Sequence, residues 1–443
     1  MELRYFGTDG IRGRAFTSPL TLPEVSRWGG AWAEVARSRD IKEFVIGWDP
    51  RLSSESLVKA FLLGVGETIR TCILGLAPTP AVAYAVATRS MAWGLVFSAS
   101  HNPPEDNGIK SFNNYGEKIS LEDELALEAA FNNFDAITTP DSTHVNLNIQ
   151  NSIIDAYINH LAGIDLPDNI VIVVDCANGA TAQLAPLLFR GKGVHWLGVP
   201  ADGAKINLGT GSSNIGHVSS KVKELEADMG IAFDGDGDRC LVVDANGNLV
   251  DGDQLIWLIA HELHKNKQSP QGVVGTVMSN SGLEEALLGL GIPFVRTAVG
   301  DKHMLRELAL RDWKLAAEAS GHVVQKQISP SGDGLATALT AVRALINRSS
   351  LNRWSWQFKP WHMRLVNLNT INHKPIESYQ NLLAATKSIE SKYGSAIRVV
   401  IRQSGTESKL RLMAETKSKA LTDEVLKILE RAAKVDLAAI YSK

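Results

Sequence analysis

Cysteine is scarce: three in 443 residues, Cys72, Cys176 and Cys240, an odd number widely scattered. That argues against a disulfide framework and predicts a reducing, cytoplasmic setting. Long apolar runs are missing as well. No stretch of about 18 uncharged apolar residues occurs, so no membrane-spanning helix is expected. The N-terminal MELRYFGTDGIRG lacks the apolar segment of a signal peptide. Nor does charge of one sign dominate: 45 Lys and Arg against 48 Asp and Glu leave a net charge of -3. With no long basic run, nucleic acid and membrane surfaces are not expected partners. What is present is ordinary for a soluble globular chain, 44% hydrophobic and 21% charged. Its length suggests about three domains.

Three segments read alike. EFVIGWDP, NIVIVVDCANG and GVVGTVMSN are each a short β-rich run ending in turn residues. Each leads to a helical stretch ending near glycines, at Gly64–Gly66, Gly191–Gly193 and Gly289–Gly291. Strand, turn and helix in succession predict βα units in a mostly parallel sheet. A later strand in each unit ends in a polar cluster: WGLVFSASHNPPEDNG, MGIAFDGDGDRC and WKLAAEASGHVV. Ligands of open α/β sheets gather at the carboxyl ends of strands, which makes these clusters the candidate site. We therefore expect three related α/β domains over residues 1–150, 151–250 and 251–362, and a smaller α+β domain over 363–443. LVVDANGNLVDGDQ (241–254) reads as a hairpin between the second and third, turning at Asn246-Gly247.

Four loops carry chemistry. Asp234, Asp236 and Asp238 offer oxygens for a hard divalent cation, with glycines allowing a tight turn around it. An EF-hand is excluded, because its sixth and twelfth positions, Gly and Glu, are here Arg239 and Ala245. A solvated acidic turn is the alternative; the strand before the cluster and Arg239 after it favour magnesium with a phosphate-bearing ligand. In FSASHNPPEDNGIKSF, Ser98, Ser100 and His101 end a strand, and a serine there is a candidate nucleophile or an ordinary turn residue. Lys110 lies behind it in an Asn-Gly-Ile-Lys turn, a candidate acid or base if its pKa is lowered. Glu318, Ser320 and His322 alternate, so extended chain would point all three to one side, suited to a polyol. An edge strand with a satisfied histidine is the other reading. Arg402, Ser404, Gly405 and Thr406, with Arg411 nearby, form either a phosphate cradle or a surface turn.

Together, FGTDGIRG (6–13), SASHNPPEDNGIK (98–110), DGDGDR (234–239), EASGH (318–322) and RQSGTE (402–407) resemble the α-D-phosphohexomutase family. The motifs stand in that family's order over essentially the whole chain, and the first two look like its hexosamine-phosphate branch. The resemblance implies a four-domain α/β architecture, three mixed-sheet domains and an α+β domain, around a central cleft. It implies that Ser100 is the phosphorylated serine and a metal ligand, with Asp234, Asp236 and Asp238 holding one Mg²⁺. Lys110 would be a general acid/base, with His101 in the catalytic set, and Arg12 and Arg239 would steady phosphoryl charge. Glu318 and Ser320 would grip sugar hydroxyls, with His322 near the reacting end. Arg402, Ser404, Gly405, Thr406 and Arg411 would hold the idle phosphate.

The implied substrate is a phosphosugar. Glucosamine 6-phosphate and glucosamine 1-phosphate would interconvert through a hexosamine 1,6-bisphosphate, supplying amino-sugar nucleotide and cell-wall precursors. Glucose or mannose phosphates are the alternative substrates, and a homodimer is compatible with the family. Ala319, Ser408, Ser54 and Lys302 depart from the usual pattern, where Gln or Asn, Pro, Gly and Arg are common. None of them removes the nucleophile, a metal ligand or Lys110.

Overall fold

The computed structural model describes all residues except 1–2, 8, 135–143, 348–357, 371–373, 404–407 and 442–443. The chain divides into two compact units, residues 1–276 with 295–356, and residues 277–294 with 357–443.

The first unit is built on a repeated device. In its first sheet, Glu43–Trp48 lies between Arg70–Leu76 and Ala92–Phe97, parallel to both. Ala92–Phe97 is then followed by an antiparallel return strand, Asp106–Phe112, which also pairs with Gly10–Arg14. The second sheet repeats this: Ile172–Asp175 runs parallel to Met229–Phe233, which is followed by antiparallel Cys240–Asp244. In the third, Val273–Thr276 runs parallel to Leu315–Ala317, followed by antiparallel Val323–Gln325. Each polar cluster is thus the connection from a parallel strand to its antiparallel neighbour. The parallel strands read as unbroken apolar runs because helices cover both faces of the sheet.

Around the first sheet, helices Leu22–Ser38 and Ser54–Val65 cover one face over Trp28, Trp32, Phe44, Phe61 and Phe97. Helix Thr79–Ala87 covers the other, over Val45, Val82, Val86 and Phe112. Thr21 and Glu24 form a reciprocal capping box at the start of Leu22–Ser38, satisfying amide groups that a helix end otherwise leaves bare.

These two helices touch backbone to backbone. A Cβ on Gly64 would sit 1.7 Å from the Ser26 carbonyl oxygen, and one on Gly29 2.0 Å from that of Phe61. Gly64→Ala should force the helices apart and lower the urea midpoint, with a loss on the order of 1–3 kcal/mol, as overpacking costs. An unchanged midpoint would show that the crossing gives way freely.

The hairpin at 241–254 forms as expected. Cys240–Asp244 pairs with Leu249–Val250 around Gly247 at φ +79°, and Asp244 accepts the amides of Asn246 and Asn248 at 2.9 and 2.8 Å. The helix expected directly after NIVIVVDCANG is different. Only a single tight turn, Ala180–Ala182, and a four-residue helix, Ala185–Leu188, follow. Pro186 lacks the amide a helix continuing from Ala180 would need. The longer helix Ile215–Glu224 covers this sheet instead, through Val218 and Val222. All three cysteines are buried and free. Among the described residues, no helix is long and apolar enough to cross a membrane.

The second unit is a three-stranded antiparallel sheet, ordered His362–Asn369, Lys409–Thr416, Ile397–Gln403. Helices Gln380–Tyr393 and Lys419–Tyr441 pack on it over Leu382, Leu410, Leu412, Val425 and Leu429. Helix Ser281–Gly289 joins this unit. Its Ser281 amide and hydroxyl both donate to fully buried Glu415 at 2.8 Å, and Arg398 donates to the same carboxylate at 2.7 Å.

Candidate active site

Strand Ala92–Phe97 is buried along its whole length and delivers Ser98-Ala99-Ser100 to the site end of the sheet. Ser100 stands at φ +52°, a conformation that costs a non-glycine residue roughly 1–2 kcal/mol and persists only when its surroundings enforce it. Those surroundings are specific. The Ser100 amide donates to Ser98 Oγ at 2.8 Å, and Ser98 Oγ donates to Asp49 at 2.6 Å. The Ser100 carbonyl accepts from Arg51 at 3.0 Å and from Asn207 at 2.8 Å. Gly235 lies against the same carbonyl so closely that a Cβ there would be 2.6 Å from it. The hydroxyl itself donates to Asp234 Oδ2 at 2.6 Å, with His101 Nδ1 3.4 Å away. Burial first, then Arg239 and Arg12, pull the His101 imidazole down to about 4, so it is neutral near pH 7.

Asp234, Asp236 and Asp238 are buried, and their ligand oxygens lie within 4.8 Å of one another. Burial, then the charges of Asp238 and Asp236, push the Asp234 carboxyl well above its ordinary range. Asp236 Oδ1 and Asp238 Oδ1 are buried without a hydrogen-bond partner. Buried orphaned oxygens, beside an Asp234 carboxyl raised by its neighbours' negative charge, fit a divalent cation.

Lys110 does not stand in a turn. Asp106–Phe112 is a strand paired on both sides, and Gly108 is required there because a Cβ would meet the carbonyls of Ile11 and Ser98 at 2.5 and 2.8 Å. The Lys110 ammonium is fully buried, 2.6 Å from Asp236, 3.0 Å from Asp238 and 3.0 Å from Asp9. Its pKa is raised, not lowered. Burial works against the charge, but Asp236, Asp238 and Asp9 outweigh it. The condition set for acid or base work, a lowered pKa, is not met, because the three carboxylates outweigh burial. Arg12 pairs with Asp9, and the Arg239 amide donates to Asp234 at 3.2 Å.

Four domain profiles of one family match in order: Phosphoglucomutase/phosphomannomutase, alpha/beta/alpha domain I over residues 3–137, domain II over 155–247, domain III over 251–357, and the C-terminal domain over 365–432. The chain belongs to the phosphoglucomutase/phosphomannomutase family. It is 40% identical to the phosphoglucosamine mutase of Enterobacter sp. (strain 638), covering 95% of this chain and 96% of that one. It is also 40% identical to the phosphoglucosamine mutase of Proteus mirabilis (strain HI4320), over 94% and 95%. Its fold matches that of a phosphoglucomutase/phosphomannomutase family protein from Burkholderia thailandensis, with a TM-score of 0.81, 22% identity and 98% of each chain covered.

The remaining family motifs are placed as follows. Glu318, Ser320 and His322 are not on one extended strand. They surround a tight turn in which the Gly321 amide donates to the Glu318 carbonyl and the Glu318 amide to the His322 carbonyl, both at 3.0 Å. Gly321, at φ +91°, permits the reversal, which a strand of alternating residues would not need. Glu318 accepts the Gly300 amide at 2.9 Å, and Ser320 is exposed. His322 is buried, its Nδ1 3.8 Å from Asp238 Oδ1, which brings it to the triad. In the second unit, Arg402 and Arg411 are directly opposite in the antiparallel ladder. Ser404, Gly405 and Thr406 lie outside the described residues.

Three supporting residues escaped the sequence reading: Asp9, Arg51 and Asn207. Asp9 sits inside FGTDGIRG and Arg51 inside WDPRLSS, yet nothing local marks either as bound to a distant loop. Ser54, where glycine is common in the family, joins this network by donating to Asp49 at 3.3 Å and accepting from Asn107 at 3.1 Å. Lys302 pairs with Glu124.

The triad makes metal binding measurable without turnover. Adding Mg²⁺ at a hundredfold excess over its Kd should stabilise the protein by about 2.7 kcal/mol, raising Tm relative to a chelator-treated sample. Asp236→Asn should remove most of that rise; the same rise in the variant would place the cation elsewhere.

Proposed function

We propose that this chain interconverts glucosamine 6-phosphate and glucosamine 1-phosphate through a phosphoserine enzyme and a hexosamine 1,6-bisphosphate. The observation that carries the reading is the Ser100 hydroxyl, strained in backbone and 2.6 Å from a buried three-carboxylate group. The phosphoglucosamine mutases that are 40% identical over nearly the whole chain support the sugar. Asp234, Asp236 and Asp238 would hold Mg²⁺, with Ser100 beside it. When bound, the cation supplies positive charge to the transferring phosphoryl group.

Phosphoryl transfer needs in-line positioning and charge neutralisation more than covalent help. The Ser100 Oγ–P bond breaks and a bond forms from phosphorus to the free sugar hydroxyl. The hydroxyl proton is released and Ser100 Oγ ends protonated, so the balance closes within the pair. Lys110, held as an ammonium by its three carboxylates, contributes positive charge to the site. Arg12 and Arg239 add guanidinium charge that does not titrate. After the bisphosphate turns over, the other phosphate returns to Ser100 by the same exchange reversed. Glu318, Ser320 and His322 would orient the sugar, while Arg402 and Arg411, with residues 404–406, would hold the phosphate that is not reacting.

Glucose and mannose phosphates remain the competing substrates because the chemistry is identical. With Mg²⁺ and a trace of hexose 1,6-bisphosphate, kcat/KM for glucosamine 6-phosphate should exceed that for glucose 6-phosphate and mannose 6-phosphate by at least about tenfold. A preference for either neutral sugar would keep the mechanism and overturn the substrate. Ala319, in the turn between Glu318 and Ser320, would then be the first residue to exchange.

A further inference from the structure

Lys110 has three ammonium protons and three carboxylate partners, Asp236 Oδ2, Asp238 Oδ2 and Asp9 Oδ2. Two of those partners belong to the triad. A small hard cation needs carboxylate oxygens at about 2.0–2.1 Å and repels an ammonium at contact distance. The side chain is fully buried, so withdrawal to solvent is closed to it. The third partner is of another kind. Asp9 lies outside the triad and is held in place by Lys118 on Oδ1 and Arg12 on Oδ2, with Lys118 also 3.5 Å from Asp301.

We propose that Lys110 and a divalent cation compete for Asp236 and Asp238, and that Asp9 is the seat to which the ammonium withdraws when the cation binds. Asp9 is thereby a positioning residue: it keeps Lys110 inside the site but off the metal's ligands. The inference rests on the metal part of the function proposed above and is independent of which sugar reacts. It assigns opposite effects to two neighbours of the site. Removing Lys110 removes a competitor; removing Asp9 leaves Lys110 with the triad alone and strengthens the competition.

The test is calorimetric titration of the purified full-length chain with MgCl₂, without sugar. Lys110→Met should bind Mg²⁺ about tenfold more tightly, and Asp9→Asn about tenfold more weakly, than wild type. In the double variant the Asp9→Asn effect should shrink to less than about twofold, because the seat has no occupant. Asp9→Glu, which keeps the carboxylate, should restore most of the affinity, and it covers the case in which Asp9→Asn does not fold. Equal weakening by Asp9→Asn with and without Lys110 would overturn the seat, since Asp9 would then act only as a distant charge. Normal wild-type binding with no gain in Lys110→Met would overturn the competition alone. No binding to wild type would overturn it together with the metal assignment.

Discussion

Ser100→Ala is expected to lower kcat for the mutase reaction by on the order of 10⁴-fold or more, the scale set by loss of a catalytic nucleophile. Intact-mass analysis of the variant should find no phosphoryl group on the protein after incubation with hexose 1,6-bisphosphate. Stability should change little, because alanine tolerates φ +52° about as well as serine and the losses are the bond to Asp234 and the long 3.4 Å contact with His101 Nδ1. The bond to Asp234 is worth about 1 kcal/mol. The conformation gives a second, sharper arm. Ser100→Thr keeps a hydroxyl but adds a branch at Cβ, which a positive φ tolerates poorly. It should therefore recover little of the lost rate. A threonine variant close to wild type would mean that the strained backbone has no part in presenting the nucleophile. An alanine variant within tenfold of wild type would remove Ser100 from the reaction.

Arg51→Met is expected to be the most destabilising single change near the site. The Arg51 side chain is fully buried, and its Nε donates to Asp49 at 2.9 Å. Its other nitrogens donate to the carbonyls of Ser100 at 3.0 Å, Asn102 at 2.9 Å and Asp106 at 2.9 Å, and to that of Pro103. Methionine fills the volume and makes none of these bonds. Asp49 would be left as a buried carboxylate without its ion pair. Burial already pushes its carboxyl up from the ordinary range against the pull of Arg51. Removing one partner of a buried pair costs about 3–5 kcal/mol. The serine loop would lose its clamp as well, so kcat should fall together with the denaturation midpoint. Arg51→Lys should recover only part of both, since an ammonium offers three donors where the guanidinium uses its planar fork. A melting temperature unchanged in Arg51→Met would show that Asn207 and Ser98 suffice to hold the loop.

The strands that carry the three polar clusters were legible because buried parallel strands leave unbroken apolar runs, and because Gly, Asn and Asp mark the turns that end them. The three-carboxylate group was legible for a simpler reason. Asp234, Asp236 and Asp238 are separated by single glycines, so their proximity follows from the chain itself. Errors came where one local pattern has two structural solutions. EASGH suits an extended strand as well as a tight turn, and Gly321 at positive φ decides for the turn. NGIK suits a turn as well as a strand, and the two strands that pair with Asp106–Phe112 decide for the strand. The charge state of Lys110 is not written in its local sequence. Burial predicts a lowered pKa, and only the carboxylates of Asp236, Asp238 and Asp9 reverse the sign.

Read along the chain alone, the candidate loops, their order and the strand that each one follows are legible. These are consequences of short-range physics: side-chain periodicity, turn stereochemistry and the spacing of like charges. Tertiary packing is what brings Asp9 to Lys110, Arg51 and Asn207 to the Ser100 carbonyl, and His322 to Asp238. Those meetings join residues tens to more than a hundred positions apart. They depend on strand order and on how separate layers pack, and no local stretch of chain contains either.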